Sequence, residues 1–359
     1  MKISKICIKG YKSIKDLTLE LRNINVLIGS NGIGKSNFVS AFELLHEVYE
    51  KNLQKYVIEH GGADAMLYMG PKVTNEIKLE VLFSEAKIAT YPYNLVLSYS
   101  TGDLHIKSLR YEYNKNDKMV YKIENANTRE FEGAPFVPEE YYGPILKELG
   151  VYHFHDTGLK SPMKGRRKVD DNKFLKADGE NIAPYLYYLS KRHPKRFALI
   201  ESMVHSVAPF FGGFCLEPDR INPELIRLEW KQTNGGDAYF NEFQLSDGTL
   251  RFICLATLLM QPEPPQVIII DEPELGLHPQ AINKLAAMIE RASATSQIII
   301  STQSNQLIDY FEPENVIVAE HKDDATTLKR LNSEDLNVWL EEYSLGEIWE
   351  KNIIGGQPL

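Results

Sequence analysis

The segment Gly29–Ser36, GSNGIGKS, has the residue types and spacing of a phosphate-binding loop, G-x-x-x-x-G-K-[ST]. It follows an apolar run, INVLI, that predicts a strand, and it opens a predicted helix over residues 35–58. Glycines let successive backbone N–H groups curl around a phosphate at a helix N-terminus, where Lys35 reaches the outer phosphates and the Ser36 hydroxyl binds Mg²⁺. The loop residues predicted to bind a nucleotide are Asn31, Gly32, Gly34, Lys35, Ser36 and Asn37.

A second candidate is the run Val267–Glu274, VIIIDEPE. Four apolar residues place Asp271 at the carboxyl end of a buried strand, where a carboxylate can hold Mg²⁺ together with Ser36. Glu272 is then the predicted catalytic base that activates the water attacking a phosphate. The alternative interpretation is that one of the two acids only caps the following helix.

A third candidate is Leu245–Thr249, LSDGT. Its serine, Ser246, lies 25 residues before Asp271. Ser246 is placed to cap a helix, and Gly248 would let an anion approach the helix N-terminus closely. A Ser-Asp-Gly helix start is common and by itself indicates no function. The position of this segment, before VIIIDEPE and far after the phosphate loop, is what favours a functional role.

The elements around these motifs fall into three patterns. Short apolar runs open the chain, and alternating runs from residue 76 to 124 predict an antiparallel meander. Two helices are predicted over 181–191 and 194–208. After Leu245, helices over 247–260, 279–293 and 304–310 alternate with the apolar runs QVIIID, QIIIS and NVIVAE, which predicts a parallel sheet buried on both faces.

The three motifs together resemble those of ABC-type ATPases, whose LSGGQ-like signature precedes the DE pair. The opening IKGYKSIKDLTLEL, the loop INVLIGSNGIGKSN and the run DEPELGLHP are similar to the SMC, RecF and OLD-like branch. The chain also resembles stand-alone predicted bacterial ATPases that carry STQS and end in a motif like YSLGEIWEKNIIGGQP. The resemblance implies an α/β P-loop ATPase head with a mostly parallel core sheet, an antiparallel β subdomain and a helical insert.

The resemblance also implies a domain plan and partners. A single head would span residues 1–359, with an N-terminal lobe over 1–130, an insert over 131–240 and a C-terminal lobe over 241–359. ATP and Mg²⁺ are the implied cofactors. Ser246 and Gly248 would contact the γ-phosphate of ATP held by a second subunit, so two copies would form a head-to-tail homodimer on ATP binding.

Two departures from the family pattern concern catalysis. Gln303, in IIISTQSN, stands where the branch usually has a switch histidine, and an amide can hydrogen-bond a phosphate or water but cannot take a proton. Slow hydrolysis follows. No glutamine occurs between Gln54 and Gln232, so another residue would replace the usual Q-loop glutamine. By analogy with the branch, Lys12 and Ser13 would touch the nucleotide. The alternative interpretation is that they lie in a solvent-exposed turn.

Histidines and basic residues leave further alternatives open. The segment VYHFHDTG contains His153, His155 and Asp156, which have three possible roles. They could form a metal site, they could lie beside the nucleotide or at an interface, or they could be hydrogen-bonded polar residues at the end of a strand. Two basic clusters fit either phosphate-backbone binding or a solvated surface. The first comprises Lys160, Lys164, Arg166, Arg167 and Lys168, and the second comprises Lys191, Arg192, Lys195 and Arg196.

Composition limits the classes of function. The chain has 359 residues with 40 basic and 49 acidic side chains, so its formal charge of −9 restricts any DNA contact to a local patch. Three scattered cysteines and no run of about 20 apolar residues predict a reduced, cytoplasmic protein without a membrane partner. The leading hypothesis is a switch ATPase in DNA repair or defence against foreign DNA.

The alternative is a regulatory ATPase that controls a separately encoded effector, such as a nuclease or toxin, without binding DNA. A transporter subunit is disfavoured because 210 residues separate Ser36 from Ser246 and because a β-rich insert lies between them.

Overall fold

The computed structural model describes residues 1–85, 89–115, 117–128, 142–236 and 238–357. In chain order its strands are β1 (Lys2–Tyr11), β2 (Ile14–Glu20), β3 (Ile24–Ile28), β4 (Glu76–Glu85), β5 (Ala89–Ser100), β6 (Asp103–Lys115), β7 (Asp117–Thr128), β8 (Val151–Tyr152), β9 (Arg167–Lys168), β10 (Phe211–Phe214), β11 (Leu225–Ile226), β12 (Glu229–Gln232), β13 (Tyr239–Asn241), β14 (Val267–Asp271), β15 (Gln297–Thr302), β16 (Val316–Lys322) and β17 (Ala325–Arg330). Its α-helices are α1 (Lys35–Tyr49), α2 (Leu53–Glu59), α3 (Ala63–Met66), α4 (Gly143–Lys147), α5 (Ile182–Arg192), α6 (Pro194–Val207), α7 (Asp247–Met260), α8 (Pro279–Ala292), α9 (Asn305–Ile308), α10 (Ser333–Leu340) and α11 (Leu345–Glu350).

Contacts between α-carbons divide the chain into two interleaved units. The first unit contains residues 1–151, 265–269 and 296–359, and the second contains residues 152–264 and 270–295. The predicted lobes and insert are continuous segments with boundaries after residues 130 and 240. The first boundary falls among residues 129–141, which lie outside the described part of the chain. The division into lobes and insert stays a prediction.

An antiparallel sheet in the first unit has the strand order β2-β1-β4-β5-β6-β7. Ile8 pairs with Leu79 and Leu79 pairs with Leu95, so apolar side chains of three strands share one buried face. Phe38 and Phe42 of α1 belong to the same core cluster. The meander expected over 76–124 is therefore confirmed, and its apolar alternation forms this core.

The second sheet of the first unit carries the phosphate-loop strand at its centre, in the order β17-β16-β3-β15-β14-β8. β3 runs parallel to β15 and to β16, and all five of its residues are buried. Burial on both faces explains why this strand is an unbroken apolar run. The α/β fold with a mostly parallel core sheet is confirmed, and β17 adds an antiparallel edge that we did not predict.

Two helix predictions changed in detail, and two further helices near the end of the chain were not predicted. The helix expected over 35–58 is wrong as a single element, because Lys51 adopts a left-handed backbone (φ 65°) and separates α1 from α2. The helix expected over 304–310 is shorter, Asn305–Ile308, with Ser304 as its N-cap. α10 and α11 follow the last strand and were not predicted.

The second unit is built around α7, whose residues from Thr249 to Met260 are all buried. The helices predicted over 181–191 and 194–208 are confirmed as α5 and α6 with shifts of one residue. Small sheets with the orders β10-β12-β13 and β11-β9 complete the unit. In the part of the chain that the structure describes, no helix is long and apolar enough to cross a membrane.

Candidate nucleotide-binding site

The predicted phosphate loop joins β3 to α1 in the first unit. Gly34 has a φ of 106°, and a Cβ atom there would overlap Thr326 Oγ1 and lie 2.8 Å from Ser13 Oγ. Gly32 also has a positive φ, 77°, but a Cβ there would meet no described atom within 4 Å. Gly34 is thus required for close packing behind the loop, whereas the loop tip at Gly32 is open to a ligand.

Lys35 begins α1 and is only 5% exposed. Its ammonium donates hydrogen bonds to the carbonyl oxygens of Gly29 at 2.6 Å and Ser30 at 3.0 Å, which are in its own loop. The next residue, Ser36, is exposed, as are Asn31 and Gly32. The loop therefore encloses the Lys35 ammonium, while its tip at Asn31 and Gly32 and the Ser36 hydroxyl lie at the surface.

A hydrogen-bonded network supports the loop from behind. Thr326 Oγ1 donates to the carbonyl oxygen of Ile33 at 2.8 Å and lies 2.7 Å from Ser13 Oγ. The Asn37 amide donates to the same Ser13 oxygen at 2.7 Å. Ser13 and Asn37, both predicted nucleotide contacts, thus bond directly to each other beside the loop, and Thr326 joins Ser13 to the loop backbone. Thr326 was missed because it lies on the unpredicted strand β17.

Lys12 occupies the turn between β1 and β2 with a left-handed backbone, φ 47°. Its ammonium donates to Ser40 Oγ of α1 at 3.0 Å, and its backbone N–H donates to Met66. Burial lowers the pKa of Lys12, and the nearby Glu43 carboxylate opposes that shift. Its nucleotide contact stays a prediction.

The segment after α11 also reaches the loop. The Ser30 N–H donates to the carbonyl oxygen of Gly356 at 2.7 Å. Gly356 has a φ of 79°, and a Cβ there would lie 2.8 Å from Val318 Cγ1 of β16. Sequence reasoning noted the IIGGQP ending only as a resemblance, so this contact with the loop was missed.

In the second unit, Asp271 ends β14 as predicted and is half-buried. Glu272 follows with a left-handed backbone, φ 42°, which is uncommon for a residue with a side chain. The carbonyl oxygen of Glu272 accepts from the Leu275 N–H at 3.2 Å, and this turn holds the conformation. Such strain is most often found at functional sites.

The two histidines of VYHFHDTG meet Asp271 rather than Asp156. One ligand atom from each of His153, His155 and Asp271 lies within 4.8 Å of the others. Asp156 is not part of this group, and its carboxylate accepts from the Gly158 N–H at 3.0 Å. The alternative roles of His153, His155 and Asp156 stay predictions. Burial lowers the pKa of His155, while the negative charges of Asp271 and Glu272 oppose this shift.

Arg251 of α7 is a buried cation that sequence reasoning missed. Its guanidinium donates to the carbonyl oxygens of Phe154 at 2.9 Å and His155 at 3.1 Å, and also to that of Leu275. The signal was present in the sequence, because Arg251 is the only charge in the apolar run LRFICLATLLM. One side chain thus joins the signature helix to the histidine segment and to the loop after Glu272.

The signature segment opens α7 as predicted. Ser246 is the N-cap, and its hydroxyl accepts from the Thr249 N–H at 3.2 Å. A Cβ at Gly248 would lie 2.5 Å from the carbonyl oxygen of Gly276, so packing within this unit already requires a glycine there. Gln303 lies in the first unit between β15 and α9 and is half-buried.

In the first basic cluster Lys160, Arg166 and Lys168 are exposed. The side chain of Lys164 is only 7% exposed and donates to Thr157, while Arg166 pairs with Asp219 at 3.0 Å. The prediction of an exposed basic loop is therefore wrong for Lys164, whereas Arg166 is exposed and its ion pair lies at the surface. Lys191, Arg192 and Lys195 of the second cluster are exposed.

A family model described as "AAA domain, putative AbiEii toxin, Type IV TA system" matches residues 24–309. That range starts at β3 and includes Lys35, Ser246, Asp271 and Gln303. The chain belongs to this family. The AAA-domain assignment agrees with the α/β fold and with the phosphate loop, and it makes the protein a P-loop ATPase by family.

Curated relatives of this AAA-domain chain include the energy-coupling factor transporter ATP-binding protein EcfA2 from two streptococci. The Streptococcus agalactiae serotype Ia protein is 27% identical over 150 residues, which are 40% of this chain and 52% of that protein. The Streptococcus thermophilus LMD-9 protein is 26% identical over 175 residues, 45% and 59% of the two chains. The chain spans about half the length of these relatives.

Solved structures similar to this AAA-domain chain include two SMC heads. An SMC head bound to the C-terminal winged-helix domain of ScpA has a TM-score of 0.62 at 15% identity, covering 94% of this chain and all of that one. A Pyrococcus furiosus SMC head with an extended coiled coil, bound to the C-terminal domain of ScpA, has a TM-score of 0.57 at 15% identity, covering 95% and 98%. The fold is therefore that of an SMC-type ATPase head.

Proposed function

We propose that the protein binds and hydrolyses ATP as a dimeric switch. The observation that supports this best is the phosphate loop, in which Lys35 starts α1 with its ammonium inside the loop while Gly32 leaves the loop tip open. A triphosphate seated at that tip would draw the ammonium from two backbone carbonyls to phosphate oxygens, because a charged acceptor makes the stronger hydrogen bond.

Mg²⁺ is the metal that this proposal requires, and the available ligands fit it. The exposed Ser36 hydroxyl and the Asp271 carboxylate offer the oxygen donors that Mg²⁺ prefers. When bound with ATP, the ion would neutralise charge on the phosphate oxygens. Ser36 and Asp271 would hold it in place.

Glu272 is the proposed general base. Its carboxylate would accept the proton of the attacking water, and its fixed left-handed backbone would orient it for that step. Gln303 would orient the γ-phosphate or the water through its amide without accepting a proton. Because Gln303 cannot take a proton as a switch histidine would, turnover would be slow.

The signature residues act in trans in this proposal. Ser246 and Gly248, at the start of α7, would face the γ-phosphate of ATP held by a second copy of the chain. ATP binding would then close a homodimer, and hydrolysis would release it.

For the physiological role we propose DNA repair or defence against foreign DNA in the cytoplasm. A second candidate is control of a separately encoded effector, such as a nuclease or toxin, without DNA binding. It is favoured by the toxin–antitoxin description of the matching family and by an SMC head relative that was solved with a protein partner bound. A transport role is not proposed, because Ser36 and Ser246 are 210 positions apart and the chain between them includes a β-rich segment.

Two variants test the ATPase proposal. Lys35→Ala should lose binding of a fluorescent ATP analogue, because the phosphate-binding cation is gone. Glu272→Gln should bind the analogue like the wild type and lose most phosphate release, since only water activation is removed. An active Glu272→Gln would overturn the base assignment, and tight binding by Lys35→Ala would overturn the site itself.

A further inference from the structure

We infer that the second unit holds a site for a divalent transition-metal ion, formed by His153, His155 and Asp271. The three residues come from two segments more than 100 residues apart, yet one ligand atom from each lies within 4.8 Å of the others. A bound ion would draw the ligand atoms together, because metal–ligand bonds of about 2.0–2.2 Å to nitrogen and oxygen place neighbouring ligands closer than this.

The donor set selects the kind of ion. Two imidazoles and one carboxylate suit manganese, iron, cobalt and zinc, whereas Mg²⁺ prefers oxygen ligands only and gives up its waters reluctantly. Two histidines with one carboxylate also leave coordination positions for water or an anion. The site therefore differs in chemistry from the Ser36 and Asp271 pair assigned to Mg²⁺, although it uses the same carboxylate.

The histidine segment is held in position before any ion binds. Its backbone accepts from Arg251 at the carbonyl oxygens of Phe154 and His155, and the His153 N–H donates to Ala177 at 2.9 Å. Arg251 also holds Leu275, four residues after Asp271. Both halves of the site are thus fixed by one buried guanidinium, so little ordering is needed when the ion binds.

One imidazole nitrogen supports the assignment independently. Nδ1 of His155 is buried and has no hydrogen-bond partner among the described residues. Buried polar atoms in folded proteins are nearly always satisfied, and those that are not call for an explanation such as an ion. A metal ion bound within this cluster supplies that explanation, either directly at Nδ1 or by fixing the tautomer through the other nitrogen.

The test uses Co²⁺ and the full chain without nucleotide, after removal of any affinity tag and of bound metal with a chelator. Co²⁺ should give visible absorption typical of nitrogen ligation and bind with one ion per chain. His153→Gln, His155→Gln and Asp271→Asn should each weaken binding at least about tenfold. Excess Mg²⁺ should leave the spectrum unchanged.

Asp156→Asn is the matched control, because Asp156 is adjacent to His155 and its amide oxygen can still accept from Gly158. It should bind Co²⁺ like the wild type. No visible absorption, equal affinity in all variants, or displacement by Mg²⁺ would overturn the inference. Circular dichroism verifies that each variant folds. If Asp271→Asn does not fold, His153→Gln decides the test, because His153 is exposed.

Binding of fluorescent ATP, measured separately on the same proteins, tests the proposed function. A protein that binds Co²⁺ but not ATP would contradict the proposed function and leave the metal site standing. A protein that binds ATP but not Co²⁺ would contradict only the metal site.

Discussion

The backbone N–H of Ser30 donates a hydrogen bond of 2.7 Å to the carbonyl oxygen of Gly356, which ties the phosphate loop to the far end of the described chain. The Gly355–Gly356 pair thereby becomes part of the structure that shapes the loop. The positive φ values of these two residues, 80° and 79°, let the segment pass close to β16.

Gly356→Ala should weaken ATP binding. Its Cβ would lie 2.8 Å from Val318 Cγ1 and 3.2 Å from the Ala319 carbonyl oxygen, so the segment must shift and the hydrogen bond to Ser30 lengthens. Loss of one such bond costs about 1 kcal/mol, or roughly a fivefold loss of affinity. Gly102→Ala is the control, because it has a φ of 88° but no described atom within 4 Å of the new Cβ. Equal effects in a fluorescent ATP titration would mean that backbone strain, not contact with the loop, is responsible.

Thr326→Val should destabilise the fold around the loop. It keeps the side-chain shape but removes the hydroxyl that bonds to Ile33 and Ser13 in a position only 1% exposed. Removing the hydroxyl that the buried Ile33 carbonyl oxygen accepts from costs about 1–3 kcal/mol, whereas Ser13 keeps its bond from Asn37. Urea unfolding should show this loss, and Thr327→Val should change stability by less than about 0.5 kcal/mol because its hydroxyl bond is 3.3 Å long and exposed. If Thr326→Val unfolds at the same urea concentration as the wild type, the Thr326 hydroxyl does not stabilise the loop.

Mixing two inactive proteins should restore part of the ATPase activity. Lys35→Ala disables the loop, and Ser246→Asp places a negative charge where the γ-phosphate of the partner would lie. Aspartate preserves the N-cap that Ser246 provides for α7, so the helix start is retained. Heterodimers then contain one site with both defects and one intact site.

Phosphate release by the mixture, compared with each protein alone, is the measurement. No recovery, with heterodimers demonstrated by crosslinking, would mean independent or obligatorily coupled sites. A wild type that stays monomeric with ATP in light scattering would rule out a shared site.

Any DNA binding should depend on the second basic cluster. Replacing Lys191, Arg192 and Lys195 with glutamate should abolish binding, and the wild-type affinity should fall with salt at a slope of about 0.9 per phosphate contacted. The control replaces the exposed Lys72, Lys322 and Lys329 with glutamate, which changes the net charge equally. If both triple variants bind duplex DNA alike in filter binding, the cluster has no specific role. No binding by the wild type at low salt with ATP would favour the effector-control proposal.

The phosphate loop, the signature helix and the strand ending at Asp271 were predictable because each is local: an apolar run, a turn residue and a cap within ten residues. The metal cluster was only half predictable. His153 and His155 are two residues apart in sequence, but their acid partner is Asp271 rather than the adjacent Asp156, and only the folded chain brings it near.

Arg251, Thr326 and Gly356 show the same limit. Each acts through backbone or hydroxyl contacts with segments about 25 to 330 residues away, and nothing in their own neighbourhood specifies the partner. The break between α1 and α2 at Lys51 was missed for a different reason, since lysine is a good helix former and its left-handed backbone here is not a preference of its type.

The position of β3 in the sheet constrains the order in which the chain can fold. Its two neighbours are β15 and β16, and the Asn25 side chain bonds to Ile298, 273 residues later. A ribosome adding about 5–20 residues per second needs roughly 14–55 seconds to make that stretch. Throughout this time the apolar segment INVLI lacks both of its partner strands, and unpaired strand edges attract other chains. During synthesis the strand that precedes the phosphate loop must therefore be protected from other chains until β15 and β16 are made.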